Sequence, residues 1–393
     1  MSPRLRLALV LAAPPIVACG VSASRGVFTA NDDAGSVGAA FDSGGTSPFD
    51  STVEEASAIE PGDAADSSAG DAASTVVCPA TSLTAGDYEQ MLNSEAGVRT
   101  FQVHVPPGLD PSKPAPLVFA FHGGGENAWQ FEGFAHIHDK SDSSGFVLIE
   151  ADGTPALGPS ALPQPSPDAG VVLEVFNAGN CCEYAAELNG NVDDVGFVSA
   201  MIDTVESQIC IDPKRVFATG FSNGGMLSHR LACQLSDRIA SIVAVSGGSG
   251  QTDYDKTPNE ILFPCNPGRP VPVLHIHGTQ DACYPFDGGW GPLSLVTFQP
   301  VVVTIQDWLT RNGCGAGSPT TVLTNGAATC NMYPCPEAGA VELCTIDGGG
   351  HYWPGGDAWA GSTVFCGSGQ GALSSDIIAN DAFWSWFLQH PMP

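Results

Sequence analysis

The chain has 393 residues, with 47 Gly, 31 Pro and 13 Cys, and its 13 Lys+Arg against 42 Asp+Glu give a net charge of −29 at pH 7. Phosphate backbones and anionic membrane surfaces need clustered cations, so this balance argues against either as a partner. The length provides ample core for one large domain or two ordinary ones, and thirteen cysteines point away from a reducing cytosol.

Arg4 and Arg6 form a short basic region, and Leu5–Val17 is an apolar run too short for a comfortable membrane span. The run ends in Ile16-Val17-Ala18-Cys19, which resembles the bacterial lipobox. The resemblance implies a signal peptide over residues 1–18 and lipidation at Cys19. Twelve cysteines then remain, an even number suited to pairing. No later stretch of 18 apolar residues occurs, which excludes a multi-spanning protein. The expected location is extracytoplasmic, with the lipid as the only membrane contact.

Residues 19–77 are rich in Ala, Gly, Ser and Asp, with ten acidic residues against one basic, Arg25. Such composition buries too little apolar surface to offset ordering entropy, so a flexible tether of roughly 40 Å r.m.s. reach is expected. From Cys78 to Pro393 the texture becomes that of one folded domain. Predicted strands are Thr100–Val105, Pro116–His122, Phe146–Glu150, Val216–Thr219, Ile239–Val245, Val271–Ile276 and Val341–Ile346. Predicted helices lie between them, over Asn127–Ser141, Asp193–Ile209, Asn223–Leu235, Val302–Asn312 and Asp376–Gln389. Strands alternating with helices imply an α/β fold with a mostly parallel sheet covered on both faces. Chemistry in such sheets collects past the carboxyl ends of the strands.

After Arg215–Thr219 comes Gly220-Phe221-Ser222-Asn223-Gly224, a G-x-S-x-G turn opening a helix. Composition alone would supply about half a chance match, so strand–turn–helix context carries the assignment. A serine nucleophile needs a base, and the base an orienting acid, in the chain order Ser, acid, His. Asp281 follows the strand ending at Ile276, with Asp287 its rival six residues on. His351 stands in the glycine-rich turn after Val341–Ile346. His275 is expected inside a strand, His277 as a turn-stabilising hydrogen bonder, and His229 on the helix after the nucleophile. An oxyanion hole is expected from the Asn223 N–H and the turn His122-Gly123-Gly124-Gly125, where side chains would obstruct the approach. Trp353 is a candidate wall of the cleft, and Asn127 and Asn177 are candidate substrate contacts.

These strings, with Asn177-Ala178-Gly179 before Cys181-Cys182 and Gly349-Gly350-His351-Tyr352-Trp353-Pro354-Gly355-Gly356, resemble a known group of α/β-hydrolases. The group contains the polyhydroxybutyrate depolymerases and the family-one carbohydrate esterases, including feruloyl and acetylxylan esterases. The resemblance runs from about Gly97 to the C-terminus. It implies a serine esterase with Ser222 as nucleophile, His351 as base and Asp281 as acid, needing no metal or organic cofactor. The substrate it implies is an ester of plant polysaccharide or of a hydroxyalkanoate. Phe176, where relatives often carry Trp, and the Pro-rich stretch Leu157–Val172 depart from the pattern. A non-catalytic binding lipoprotein on the same scaffold, or a serine peptidase, is the alternative. Cysteine spacing lacks paired C-x-x-C units, so no metal site is expected. Disulfides account for the twelve cysteines, with Cys265–Cys283 and Cys314–Cys335 as candidate pairs among the many that twelve cysteines allow.

Overall fold

The computed structural model describes residues 76–80, 82–94, 97–155, 174–179, 192–249, 251–252, 263–291, 296–359, 366–367 and 369–393. The expectations for the signal peptide, Cys19, nearly all of the tether, Leu157–Val172 and Cys181-Cys182 lie outside those residues.

Ten strands form the main sheet: β1 (Gly86–Ser94), β2 (Gly97–Val105), β3 (Ala115–Phe121), β4 (Val147–Ala151), β5 (Ile211–Phe221), β6 (Ile242–Val245), β7 (Val273–Gly278), β8 (Thr320–Asn325), β9 (Ala328–Met332) and β10 (Val341–Ile346). Their spatial order is β1-β2-β4-β3-β5-β6-β7-β10-β9-β8. The six central strands from β4 to β10 are mutually parallel. Antiparallel strands flank them, β1 and β2 on one side and β9 and β8 on the other. Helices α1 (Ala128–Ala135), α2 (Ile137–Ser144), α3 (Asp194–Glu206), α4 (Asn223–Gln234), α5 (Val301–Arg311) and α6 (Ala379–Gln389) cover the sheet.

Side-chain alternation on β3 distributes them. Leu117, Phe119 and Phe121 join a core with Met201 of α3, Leu231 of α4 and Trp308 of α5. Val118 and Ala120 point the other way, into a core with Phe131 of α1, Ile137 of α2 and Phe383 of α6. Every residue of β3 is buried, as a central strand covered on both faces requires. This mostly parallel sheet between two helical layers is the α/β-hydrolase arrangement.

Two expectations need correction. The helix expected over Asn127–Ser141 is broken at His136, which takes a left-handed φ of 53°. Its N–H closes α1 on the Glu132 carbonyl, and the Glu132 carboxylate accepts from the N–H groups of Ile137 and His138 at the start of α2. Cys265 pairs with Cys233 and Cys283 with Cys366, not with each other, whereas Cys314–Cys335 forms as expected. Linear spacing says nothing about which distant segments the sheet brings together. Among the described residues, Cys78–Cys210 and Cys330–Cys344 complete five disulfides. That number marks an oxidising, extracytoplasmic setting.

Candidate active site

Ser222 sits between β5 and α4 with φ 52° and ψ −116°, a conformation that costs about 1–3 kcal/mol for a residue with a Cβ. The turn survives because the residues two before and two after Ser222 are glycine. A Cβ on Gly220 would lie 2.5 Å from the Gly224 backbone, and one on Gly224 would collide with the Phe121 carbonyl. The Ser222 N–H is held by the Val245 carbonyl at 2.8 Å, which ties the elbow to β6. Asn223 opens α4, so its N–H has no partner within the helix. Its side chain grips the backbone of Phe176 twice, accepting from the N–H at 2.7 Å and donating to the carbonyl at 3.1 Å.

Asp281 and His351 meet across the carboxyl ends of β7 and β10, with His351 Nδ1 2.7 Å from Asp281 Oδ2. Both are buried, and the His351 ring lies 4.7 Å from the ring of Phe221, the residue before Ser222. Among the described residues the ring's Nε2 has no hydrogen-bond partner. The other Asp281 oxygen accepts the N–H groups of Cys283 at 2.9 Å and Tyr284 at 2.8 Å. Burial would raise this carboxyl, but His351, His277 and the Tyr284 N–H outweigh it and hold the group below its ordinary value. Asp287 makes no comparable contact among the described residues. A third segment staples acid to base. Gly371 N–H reaches the Gln280 carbonyl, Gly350 N–H reaches Ala372, and the Gln370 side chain accepts from Ala282 N–H.

Behind Asp281 runs a line of buried histidines that spacing did not reveal. The Trp308 indole N–H donates to His229 Nδ1 at 3.0 Å, and His229 Nε2 lies 3.4 Å from His275 Nδ1. His275 Nε2 is 3.0 Å from His277 Nδ1, and His277 Nε2 reaches the Tyr284 carbonyl at 2.9 Å and Asp281 Oδ2 at 3.4 Å. An indole can only donate and a carbonyl can only accept, so both ends of the line select the same Nε2–H tautomer for all three rings. Burial lowers all three ring pKa values, His229 to about 3. His277 therefore turns an N–H toward the acid. The parity of β7 and the facing positions of α4 and α5 create this line, and only a register for all three could have exposed it.

The glycine turn after β3 is built less simply than its sequence suggests. Gly123 N–H is already donated to Glu126 Oε2 at 3.0 Å, and Gly125 N–H to the Glu174 carbonyl at 2.7 Å. Gly124 N–H has no partner among the described residues. The turn is clamped from below by His122, whose Nδ1–H donates to the Gly123 carbonyl at 2.7 Å while Nε2 accepts from Gly153 N–H at 3.0 Å. Burial holds this imidazole down to about 4 and so keeps it neutral. Burial likewise raises the Glu126 carboxyl to about 8.

The remaining candidates fall out differently. Trp353 is 1% exposed, packs edge-on to Phe131 and donates its N–H to Asn380, so it belongs to the core and walls no cleft. Its aromatic bulk is drawn inward by Phe131 and Phe383. Asn127 caps α1 by accepting from Gln130 N–H. Asn177 donates from its side chain to the Val192 carbonyl, and its backbone N–H reaches Asp194.

Residues 189–290, which include Ser222 and Asp281, match the family model described as Phospholipase/Carboxylesterase. The chain is 30% identical over 276 residues to the protein designated esterase NocK of Nocardia uniformis subsp. tsuyamanensis, covering 66% of this chain and 71% of that protein. It belongs to the α/β-hydrolase carboxylesterases. Membership makes it a carboxylic-ester hydrolase. It is also 32% identical over 253 residues to feruloyl esterase B of Piromyces equi, a match that spans 63% of this chain but only 42% of that protein's length. Among solved structures, the acetyl xylan esterase from Aspergillus awamori aligns with a TM-score of 0.49 at 15% identity, over 77% of this chain and 99% of the other.

Proposed function

We propose that this carboxylesterase releases feruloyl or acetyl groups from plant polysaccharide through Ser222, His351 and Asp281. The observation that carries the reading is the buried 2.7 Å Asp281–His351 pair facing a strained serine elbow. His351 Nε2 takes the Ser222 proton as Oγ attacks the ester carbonyl, and Asp281 holds Nδ1–H in place. Developing negative charge on the carbonyl oxygen is received by the N–H groups of Asn223 and Gly124. Gly123, whose N–H Glu126 occupies, positions the turn rather than donating. His351 then protonates the leaving alcohol, and water attacks the acyl-enzyme through the same ring. None of these steps calls for a metal or organic cofactor.

Two exposed tryptophans support a polysaccharide-linked ester. Trp129, 81% exposed, follows the turn after β3, and Trp290, 54% exposed, follows the turn after β7. Trp129 lies in the first turn of α1 and Trp290 on the short strand Gly289–Gly291, and both offer exposed flat apolar faces. Hydroxyalkanoate esters share the reaction and are separated only by the substrate panel. The proposed setting is a bacterial surface, with Cys19 lipidated and residues 20–77 as the tether.

Turnover of methyl ferulate, acetylated xylan and hydroxybutyrate oligomers by the full chain tests the assignment. The expected result is highest kcat/KM on the ferulate or acetyl ester, reduced to background by Ser222→Ala. Normal turnover by Ser222→Ala would remove the nucleophile, and exclusive cleavage of hydroxybutyrate oligomers would remove the substrate class.

A further inference from the structure

At the β1–β2–β4 side of the sheet, three strand spacings or about 14 Å from β5, lies a cluster that the esterase reaction does not use. Asp87 on β1 stands directly opposite His104 on β2. His138 on α2 stacks on His104, with ring centroids 4.2 Å apart and planes inclined by 28°. Asp87 Oδ1 is 2.6 Å from His104 Nδ1 and 3.8 Å from His138 Nδ1, so one carboxylate oxygen faces the same nitrogen of both rings.

The opposite nitrogens are each held by a different carboxylate. His104 Nε2 meets Asp142 Oδ1 at 2.9 Å, and His138 Nε2 meets Glu150 Oε2 at 2.7 Å. An imidazole that gives Nε2–H to a carboxylate turns a basic Nδ1 lone pair the other way, the arrangement that orients histidine ligands to metals. Here the two Nδ1 atoms and one carboxylate oxygen lie within 4.8 Å of one another, and an ion that displaced the proton of the 2.6 Å His104–Asp87 hydrogen bond would find their lone pairs facing it. We propose that Asp87, His104 and His138 form a two-histidine, one-carboxylate site for a divalent transition-metal ion, with Asp142 and Glu150 backing the ligands.

Size and charge fit the ion. Donors bound at about 2.0–2.1 Å in a tetrahedral site stand roughly 3.4 Å apart, a value bracketed by the 2.6 and 3.8 Å separations. The adjustment falls on Asp87, whose side chain is 63% exposed and free to shift by under about 1 Å. That exposure also leaves the remaining coordination positions open to water. Four carboxylates, Asp87, Asp142, Glu150 and Glu132, surround the two rings, and Glu150 Oε1 is buried without a partner. A dication would meet this excess of negative charge. Imidazole and carboxylate donors without thiolate suit Zn²⁺, Co²⁺, Ni²⁺ or Cu²⁺ more than Ca²⁺ or Mg²⁺. Bound there, the ion would join α2 to the β1–β2 edge, a structural role separate from ester hydrolysis.

The test is calorimetric titration of the metal-free full chain with zinc chloride near pH 7.5, alongside the visible spectrum with cobalt chloride. One zinc per chain with micromolar or tighter affinity is expected, with a tetrahedral or five-coordinate cobalt spectrum and a raised Tm. Asp87→Asn, at an exposed position that should leave folding intact, and His138→Gln should each weaken binding at least tenfold, with esterase turnover unchanged. No zinc binding at 100 μM would overturn the site. So would one-to-one binding that persists in the Asp87→Asn/His138→Gln double variant, because it would place the ion elsewhere.

Discussion

Glu126 shows how one buried side chain can set the working range of the proposed oxyanion turn. Its Oε2 accepts from Gly123 N–H, its Oε1 is buried without a partner, and burial raises its carboxyl to about 8. At neutral pH the group is therefore mostly the uncharged acid, which steadies the turn without adding charge beneath it. Above pH 8 a carboxylate forms under the N–H groups proposed to receive the oxyanion, and a like charge in a poorly solvated site opposes that step. The kcat for methyl ferulate is expected to fall about tenfold between pH 7 and pH 9.5. Glu126→Gln, which keeps an acceptor for Gly123 N–H but cannot ionise, should flatten that limb while leaving KM nearly unchanged. A parallel alkaline decline in wild type and variant would assign the fall to another group.

At the scale of elements, the acid turn and the base turn are joined through a third segment rather than directly. Gln370–Ala372 bridges Gln280–Ala282 to Gly348–Gly350, and Cys283–Cys366 anchors its approach. Replacing both cysteines, Cys283→Ser/Cys366→Ser, removes a cross-link spanning 83 residues and should cost about 2–4 kcal/mol of stability. Activity per folded molecule should also fall several-fold, measured well below the variant's Tm, because the Asp281–His351 distance loses a restraint. Unchanged kcat would show that the backbone hydrogen bonds hold the two turns unaided. The central strands and the placement of Ser222, Asp281 and His351 after their carboxyl ends were legible from sequence because strands buried on both faces read as apolar runs and each candidate residue follows one. The edges were not legible. β1 alternates half-buried and exposed residues, and β8 is exposed throughout, so neither carries a core signal. The break at His136 was hidden for a different reason. It depends on Glu132 capping α2 through a left-handed residue that is not glycine.

Across the whole molecule, buried ionisable groups pull stability in opposite directions with pH. Burial raises Glu126 and Glu174 to about 8 and Glu150 and Glu342 to about 7. A carboxyl raised by folding contributes fully below its unfolded value, near pH 4.5, and loses that contribution as pH climbs through 7–8. Burial lowers His122 to about 4 and His229 to about 3, and their contribution has the reverse sign. It is complete above pH 6.5 and is lost as pH falls toward 3–4, when charging would break tautomers fixed at both ends of the histidine line. Asp281, also lowered by folding, adds to the acid-side loss below its ordinary 3.8. The two families cross between about pH 5 and 6.5, so Tm should peak there even though the net charge is −29 at pH 7. From pH 6 to pH 9 a fall of about 5–10 °C is expected, with a comparable fall by pH 3.5. Scanning calorimetry across that range checks the dome. Glu126→Gln should reduce the alkaline slope and leave the acid slope intact, since only the first family contains it. A Tm that rises steadily to pH 9 would mean that the buried carboxyls ionise without cost, contrary to their burial.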